Sequence, residues 1–295
     1  MRAERRTPLS VFELSRVGAS AELPGARLTA EQACASGPGV QLRARCGGDT
    51  LGFWVPEPAW CEWMAPQLAI HAWTQVPAEL LPLVAGWTLA PLDGWWQQLG
   101  GDALCEPEVR AGDAPPPGWR FTLQDGARRL PLYVQEAPAR VLQALLAALE
   151  PSPEQHHELA LALGWCQLAG DALAQVAVGD ALPVLGMAES LDTLWLHPEA
   201  SPGQLQLRDA QLAVVAPAPV PLADDLPDTV RLAVEVGRAR VSAAALAAWT
   251  PGADVPLDAR AHVALRLTQG ERLWGQGQLL RLDDGWAVRL DARAD

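Results

Sequence analysis

Apolar and polar residues alternate with a period of two in short segments of the C-terminal half, the pattern of half-buried β-strands. The clearest segments are residues 159–163 and 230–236. Each ends at a glycine, Gly164 in the first case and Gly237 in the second. Further short alternating runs follow each of them, separated by Gly, Pro and Asp. The pattern therefore predicts a C-terminal half made largely of strands.

Helical periodicity is concentrated in the N-terminal half. The clearest helix covers residues 138–149, where Pro138 suits the first turn and an apolar stripe follows. Residues 60–73, interrupted by Pro66, and the short segments 79–84 and 94–99 are weaker helix candidates. Alternation near residues 40 and 121 adds strands. We expect an N-terminal α/β region of uncertain topology, preceded over residues 1–30 by an adaptable segment.

These patterns predict an α+β chain with four parts. Residues 1–150 form a divergent N-terminal α/β domain that ends in a helix. Residues 156–215 form a first small β-rich module and residues 228–293 a second. A proline-rich linker over 216–227 separates the two modules, because alternating prolines favour an extended, solvated chain.

The two modules have matching spacings. Gly164 to Gly179 and Gly237 to Gly252 are both fifteen residues, and Leu173 corresponds to Leu246. A third match, of eleven residues, relates the interval from Gly203 to Val214 to the interval from Gly277 to Val288. A module of about 60 residues is marginal alone and leaves sheet edges open, so we expect the copies to pair, either within the chain or between chains. The residues predicted to build or pair the modules are Gly164, Leu173, Gly179, Asp180, Val234, Val236, Gly237, Leu246, Gly252, Leu257, Val263, Leu265, Gly277, Trp286 and Val288.

Composition excludes several classes of function. The net charge is −13 and all 22 basic residues are Arg, with no basic cluster beyond Arg5 and Arg6, so nucleic acid is not an expected partner. The chain has no Lys and no Asn, which removes phosphate-binding and Schiff-base lysines. Five Cys without paired spacing are expected to be reduced thiols of a cytosolic protein. No apolar run is long enough to span a membrane, so direct insertion is not expected.

Candidate chemistry is sparse. The serine-hydrolase, P-loop and zinc-protease motifs are absent, and His156-His157 is interpreted as a solvated linker end. We therefore predict a non-enzymatic protein with no catalytic, cofactor-binding or metal-binding residues. The 13 Trp either fill the core or mark a partner surface. Glu235, Arg238 and Arg240 either form a solvated strand face or contact a partner.

Several motifs of the second module occur in SpoA-type domains (surface presentation of antigens). They are Glu235 to Arg238, Leu246, Pro251 to Leu257, Gly277 to Leu279 and Ala287 to Leu290. Such domains usually have Gly at the position of Ala287. The first module resembles the same domain through Leu163-Gly164 and 178–182.

Two tandem SpoA-like modules behind a divergent N-terminal region resemble the SctQ family (YscQ/HrcQ-like), the cytoplasmic-ring or sorting-platform proteins of type III secretion systems. The resemblance implies intertwined β-barrel modules and a scaffold role without cofactors. It implies as partners an SctL-like stator protein, an SctK-like adaptor, chaperone–effector complexes, and the chain itself as a second copy or a C-terminal fragment. The implied location is cytoplasmic, peripherally associated with the inner-membrane apparatus. The alternative is a flagellar motor-switch protein.

Overall fold

The computed structural model describes residues 8–200, 203–217, 228–283 and 285–294. Of the predicted 216–227 linker, residues 218–227 lie outside the described residues. The chain divides into two compact units. We call Arg16–Ser152 the N-terminal unit, and Met1–Ser15 together with Pro153–Asp295 the C-terminal unit.

The helices are α1 (Val11–Arg16), α2 (Glu57–Met64), α3 (Leu81–Gln98), α4 (Ala139–Ala147), α5 (Gly170–Gln175) and α6 (Ala243–Ala247), with short 3-10 turns at Trp73–Gln75, Ala78–Leu80 and Pro198–Ala200. The strands of the N-terminal unit are β1 (Ser20–Leu23), β2 (Ala26–Ala33), β3 (Gly39–Cys46), β4 (Asp49–Pro56), β5 (Leu104–Gly112), β6 (Gly118–Asp125) and β7 (Arg128–Glu136). Those of the C-terminal unit are β8 (His156–Ala169), β9 (Ala181–Pro183), β10 (Thr193–Leu196), β11 (Gln204–Leu207), β12 (Leu212–Val215), β13 (Thr229–Ser242), β14 (Asp254–Gln269), β15 (Arg272–Leu282) and β16 (Gly285–Arg293).

The N-terminal unit is built on one antiparallel sheet in the order β1-β2-β6-β7-β4-β3-β5. Two-residue turns join β3 to β4 and β6 to β7, and each contains a glycine with positive φ, Gly47 or Gly126. Such glycines suit hairpin turns whose twist matches that of the strands. The topology that the sequence left open is therefore an antiparallel sheet of three hairpins and the strand β5, with non-consecutive strands as neighbours and helices added.

Two expectations for this unit need correction. Residues 1–30 are not all an adaptable segment, since α1, β1 and most of β2 fall within them. The short helices expected at 79–84 and 94–99 belong largely to one helix, α3, which runs through Pro91. Its apolar positions extend along its whole length, so burial of one face stabilises the helix across the proline. The helix expected at 138–149 is observed as α4.

The C-terminal unit contains a nine-stranded sheet in the order β12-β11-β10-β8-β13-β14-β15-β16-β9. An additional pairing of β12 with β14 closes β8, β10, β11, β12, β14 and β13 into a six-stranded barrel. This agrees with the barrel fold expected from the resemblance. On the other side of β8 and β13, β16 pairs with β9, and a bridge from Trp165 to Leu185 links this edge back to β8. The two modules therefore share one central pair of strands.

The main hydrophobic core of the C-terminal unit is a cluster that both modules supply, through residues such as Leu161 and Leu196 from the first and Val234 and Val288 from the second. Residues 8–15 also belong to this unit, although we expected the first domain to begin at residue 1. The reason is that the apolar side chains of α1 are buried in the same core. Mutual burial of the modules explains how units of this size become stable.

Candidate partner-binding site

The central antiparallel pair β8–β13 relates the two modules by an approximate two-fold axis. Ala160 pairs with Arg238, and the equivalent pair on the other side of the axis is Trp165 with Ala233. The axis passes near Ala162, which pairs with Glu235 at a register shift. In this structure the two modules pair within one chain.

Backbone hydrogen bonds repeat across this axis. The N–H of Gly179 donates to the carbonyl of Leu290 at 2.7 Å, and Leu290 donates back to Asp180 at 2.9 Å. At the related position, Gly252 donates to the carbonyl of Val215 at 2.9 Å. Gly179 and Gly252 both have positive φ, 98° and 83°. Each module therefore receives the last strand of the other at an equivalent glycine turn.

Gly164 and Gly237 each lie against a backbone carbonyl of a neighbouring segment. A Cβ at Gly164 would lie 2.1 Å from the carbonyl oxygen of Leu185, and one at Gly237 would lie 2.5 Å from that of Arg260. Contacts this short are not possible, so a side chain at either position would displace the neighbouring strand. The fifteen-residue spacing therefore begins, in each module, at a position that has no room for a side chain, and it ends at a glycine with positive φ.

The third spacing match was wrong at both ends. Leu205 pairs with Val215 as Gly277 pairs with Leu290, so Leu205 and not Gly203 is equivalent to Gly277. Leu182 pairs with Val288, and at the related position Val255 pairs with Ala213. The buried residue equivalent to Val288 is therefore Ala213, and Val214 lies on the opposite face of its strand. The physical reason is that the hairpin between the last two strands is longer in the second module than in the first.

Glu235 is buried and is not a surface contact. Only 1% of the residue is exposed. Its Oε1 lies 2.7 Å from Nε2 of His262 and accepts from Nε of Arg238 at 3.2 Å, while the Thr268 hydroxyl donates to Oε2 at 3.4 Å. Buried carboxylates need such partners, because desolvation destabilises the charged form. The expectation that Glu235 either lies on a solvated strand face or contacts a partner is corrected accordingly.

Arg238 and Arg240 lie on the outer face of β13, where they help to form a polar cavity of about 330 Å³. Glu158 and Asp258 flank Arg240 on the neighbouring strands, and Arg260 is bonded to Asp258 at 2.8 Å. Three guanidinium groups therefore lie beside two carboxylates. This surface, which we call the arginine face, offers planar donors to a carboxylate-bearing partner.

An apolar cavity of about 370 Å³ adjoins the arginine face, since Arg260 lines both cavities. Both modules line the apolar cavity. Leu161, Leu194 and Leu207 of the first module and Val236, Ala259 and Ala261 of the second lie in its wall. An apolar cavity beside convergent charged groups is a typical binding surface.

An outward arch borders this region. Between the pairs Gly237–Ala261 and Glu235–Arg266, β13 has one residue and β14 has four. Leu265 pairs with β15, so residues 262–264 are the ones that pair with neither neighbouring strand, and we call them the arch. Val263 in the arch is fully exposed. The expectation that Val263 is an inward-facing strand residue was wrong, because the extra residues of the arch break the alternation. Leu265 is half-buried.

The remaining residues predicted to build the modules are placed as follows. Gly164, Val234, Gly237, Leu246, Leu257, Gly277 and Val288 are buried, Leu173, Val236, Leu265 and Trp286 are half-buried, and Gly179, Asp180 and Gly252 are exposed. Gly277 lies at a register shift between β15 and β16. Asp284 of the turn between these strands lies outside the described residues.

Other chemistry-bearing residues have structural roles. His156-His157 was expected to be a solvated linker end, but these residues begin β8, and burial lowers the pKa of His157. Burial raises the pKa of the Cys166 thiol to about 12, so it stays protonated at neutral pH. Most Trp side chains are buried, while Trp87 is exposed.

Two absences hold for the part of the chain that the structure describes. No group of three or more His, Cys, Asp or Glu side chains there is placed to bind a metal ion. No helix there is long and apolar enough to cross a membrane.

Sequence reasoning missed two features of the C-terminal unit. One is segment 8–15, whose Ser10-x-x-Glu13 pattern is a helix-capping signal. The other is the pair Trp165 and Trp195, whose rings pack edge to face at 5.1 Å. No local pattern indicated this pair, because the contact joins strands far apart in sequence.

Two family models match the chain. One, described as the SepQ protein N-terminal domain, matches residues 15–145. The other, described as the C-terminal part of FliN, the type III flagellar switch regulator (C-ring), matches residues 229–295. No curated protein matches the chain.

Both families are structural C-ring domains and not enzymes, and their domains mediate protein–protein interactions in secretion or switch complexes. The second match covers the module whose residues resemble a SpoA-type domain, and the closed barrel observed there agrees with it. The first match covers nearly all of the N-terminal unit. By this combination of domains, the chain belongs to the SctQ family of type III secretion C-ring proteins.

Proposed function

We propose that the protein is a structural scaffold of the cytoplasmic sorting platform of a type III secretion system. In this role it links an SctK-like adaptor to an SctL-like stator protein and its ATPase, and helps to recruit chaperone–effector cargo. It is located in the cytoplasm, attached to the inner-membrane apparatus through its partners.

The observation that carries the proposal is the composite surface of the C-terminal unit. Its apolar cavity and arginine face exist only when both modules are paired, since Leu161 and Glu158 come from the first and Ala261 and Arg240 from the second. A site divided between two modules binds its partner only after correct pairing. This property suits a scaffold, which must be folded before it recruits the next component.

The chemistry of the composite surface suits a peptide segment with apolar and acidic residues. Apolar side chains would enter the cavity, and carboxylates would meet the arginine face. We assign this surface to the SctL-like stator protein, because one short segment can span both adjoining parts.

Co-purification tests this assignment with the full-length chain. Ala261→Asp places a carboxylate at the apolar cavity, and Arg240→Glu reverses one charge of the arginine face. We expect each variant to weaken binding of the SctL-like protein of the same operon about ten-fold or more. Leu191→Asp and Arg272→Glu are matched controls, because both residues are exposed and line neither cavity. Unchanged binding in both test variants, with the fold intact, would refute the assignment.

The alternative function is that of a flagellar motor-switch protein, and the FliN match favours it specifically. The SepQ match favours secretion, because it covers a region distinct from the FliN domain. Neighbouring genes decide between the two: injectisome components support the scaffold proposal, whereas chemotaxis and flagellar genes support the alternative.

A further inference from the structure

Residues 8–15 are separated by a whole folded unit from the rest of the unit to which they belong. The N-terminal unit occupies residues 16–152, between this segment and β8. Val11 and Leu14 are nevertheless buried in the core of the C-terminal unit, and Ser15 is fully buried. The segment therefore resembles a bound peptide that is connected to its binding surface through the 137 residues of the N-terminal unit.

The segment is a self-contained element. Ser10 and Glu13 form a reciprocal capping box: the backbone N–H of Ser10 donates to Oε2 of Glu13 at 2.8 Å, and the N–H of Glu13 donates to Oγ of Ser10 at 3.2 Å. These bonds satisfy the free donors of the first turn. Gly18 follows with φ 77°, a conformation that lets the chain turn directly after α1. The helix can thus keep its caps when it leaves or enters its site.

The surface that holds the segment belongs to the first module. Nε2 of His197 lies 3.0 Å from the carbonyl oxygen of Leu9, and the backbone of Leu14 lies close enough to His157 to influence the pKa of its ring. His197 has φ 53°, a conformation that non-glycine residues rarely adopt. Such strain persists where surrounding contacts require it, and here it places the ring against the segment. We call His157 and His197, with the core beneath them, the helix-docking surface.

We propose that this docking surface is exchangeable, and that in assemblies it binds residues 8–15 of a second copy of this chain. The same contacts form whether the segment comes from its own chain or from a neighbour, so exchange needs no new surface. The contact rests on few side chains, which favours reversible opening. In a scaffold, many copies of the chain lie side by side, and this raises the effective concentration of residues 8–15 of one copy near the docking surface of the next. This step alone rests on the proposed scaffold role. Exchange would link adjacent copies through an element that the sequence already supplies.

Complementation between two full-length variants tests the proposal. The first carries Val11→Asp and Leu14→Asp, which disable the segment and leave the docking surface intact. The second carries His157→Asp and His197→Asp, which disable the docking surface and leave the segment intact. Light scattering at rising concentration measures the mass of each variant alone, of their mixture and of the unchanged chain.

Exchange predicts that each variant alone stays monomeric and that the mixture forms a one-to-one complex. It also predicts that the unchanged chain associates with concentration. A monomeric mixture of two folded variants would overturn the proposal. Failure here is distinct from failure of the partner assignment, because only the purified chain is used.

A second measurement covers loss of folding in either variant. A protease site is inserted between Val17 and Gly18 of the otherwise unchanged chain, and the cleaved protein is mixed with a labelled peptide of residues 8–17. Saturable incorporation of the peptide, blocked when the peptide carries Leu14→Asp, is the expected result. If the labelled peptide never enters the cleaved, folded protein, the segment is a fixed part of its own chain and the proposal fails.

Discussion

The two modules differ most at three equivalent positions beside their common axis. The first module has Ala162, Trp165 and Trp195 there, packed as a small apolar cluster. The second has Glu235, Arg238 and Arg266 at the positions that the strand pairing makes equivalent. One module thus stabilises its side of the axis by aromatic packing, and the other by a buried carboxylate with charged and polar partners.

The difference extends to the strands around these positions. In the second module β14 is one continuous strand that carries the arch, whereas its counterpart in the first is divided into β9 and β10. The helix α6 has a Ser242 cap on the N–H of Ala245, and α5 has no side-chain cap. The comparison teaches that duplication was followed by specialisation. The two copies now complement each other and are not interchangeable halves.

The largest loss of stability is expected from disrupting the cluster of Ala162, Trp165 and Trp195 in the first module. Trp195→Ala removes a side chain that is almost fully buried, so we expect the free energy of unfolding of the C-terminal unit to fall by about 3–5 kcal/mol. Denaturant titration followed by circular dichroism measures this change. Trp87→Ala is the matched control, because Trp87 is exposed and its loss should change stability by less than about 0.5 kcal/mol. Equal effects of the two substitutions would contradict the role given to the cluster.

The next largest effect concerns the equivalent glycines, at which the two modules are alike. Gly164→Ala and Gly237→Ala each force a Cβ against a backbone carbonyl, and we expect losses of about 1–3 kcal/mol from both. Gly285→Ala is the control, since a Cβ there meets nothing within 4 Å. Thermal unfolding compares the three variants. A tolerated alanine at one position only would show that the two-fold relation does not extend to this contact.

The sequence predicted the module pair well because its signals are local. Alternation indicated β8 and β13, and the equal spacings that begin at Gly164 and at Gly237 indicated two copies. Each signal depends on residues within one strand or one turn, so no distant contact was needed to read it.

The candidate site could not be read in the same way. Whether Glu235 faces outward depends on His262, which comes from another strand, and on a register shift at that point. The exposure of Val263 depends on extra residues in β14, which alternation alone does not reveal. Leu14 belongs to the C-terminal unit because it packs against residues that follow the whole N-terminal unit in the sequence. These are tertiary facts, and local propensity carries no information about them.

The third prediction breaks the charged side of the axis. Glu235→Gln keeps the shape of the side chain and removes its charge, so the bonds to His262 and Arg238 weaken. We expect a loss of about 1–2 kcal/mol, less than for the aromatic side, because Arg238 is partly exposed and water can replace its contact. A double-mutant cycle with His262→Gln measures the coupling between the two side chains. Additive effects would show that the carboxylate and the imidazole do not stabilise each other.

The fourth prediction is a smaller change in stability with pH, caused by two histidines of the first module. Burial lowers the pKa of both His157 and His197. The unfolded chain then binds more protons than the folded one, so stability is complete above the unfolded pKa of about 6.5 and declines as the pH falls below it. Unfolding midpoints at pH 7.5 and 5.5 measure this decline. A chain with His157→Gln and His197→Gln should lose part of the decline, whereas the exposed control His71→Gln should keep all of it.

The smallest effect on stability is expected at the arch. Val263→Asp alters a fully exposed side chain, so the free energy of unfolding should change by less than about 0.5 kcal/mol. Binding is the more informative measurement, because Val263 is exposed and apolar and is close in sequence to Ala261 of the apolar cavity, so its side chain is available to a partner and does not stabilise the fold. If the variant retains its stability and loses the SctL-like protein, the arch belongs to the partner surface. If both stability and binding are unchanged, the specialisation of the second module lies in Glu235 and its neighbours alone.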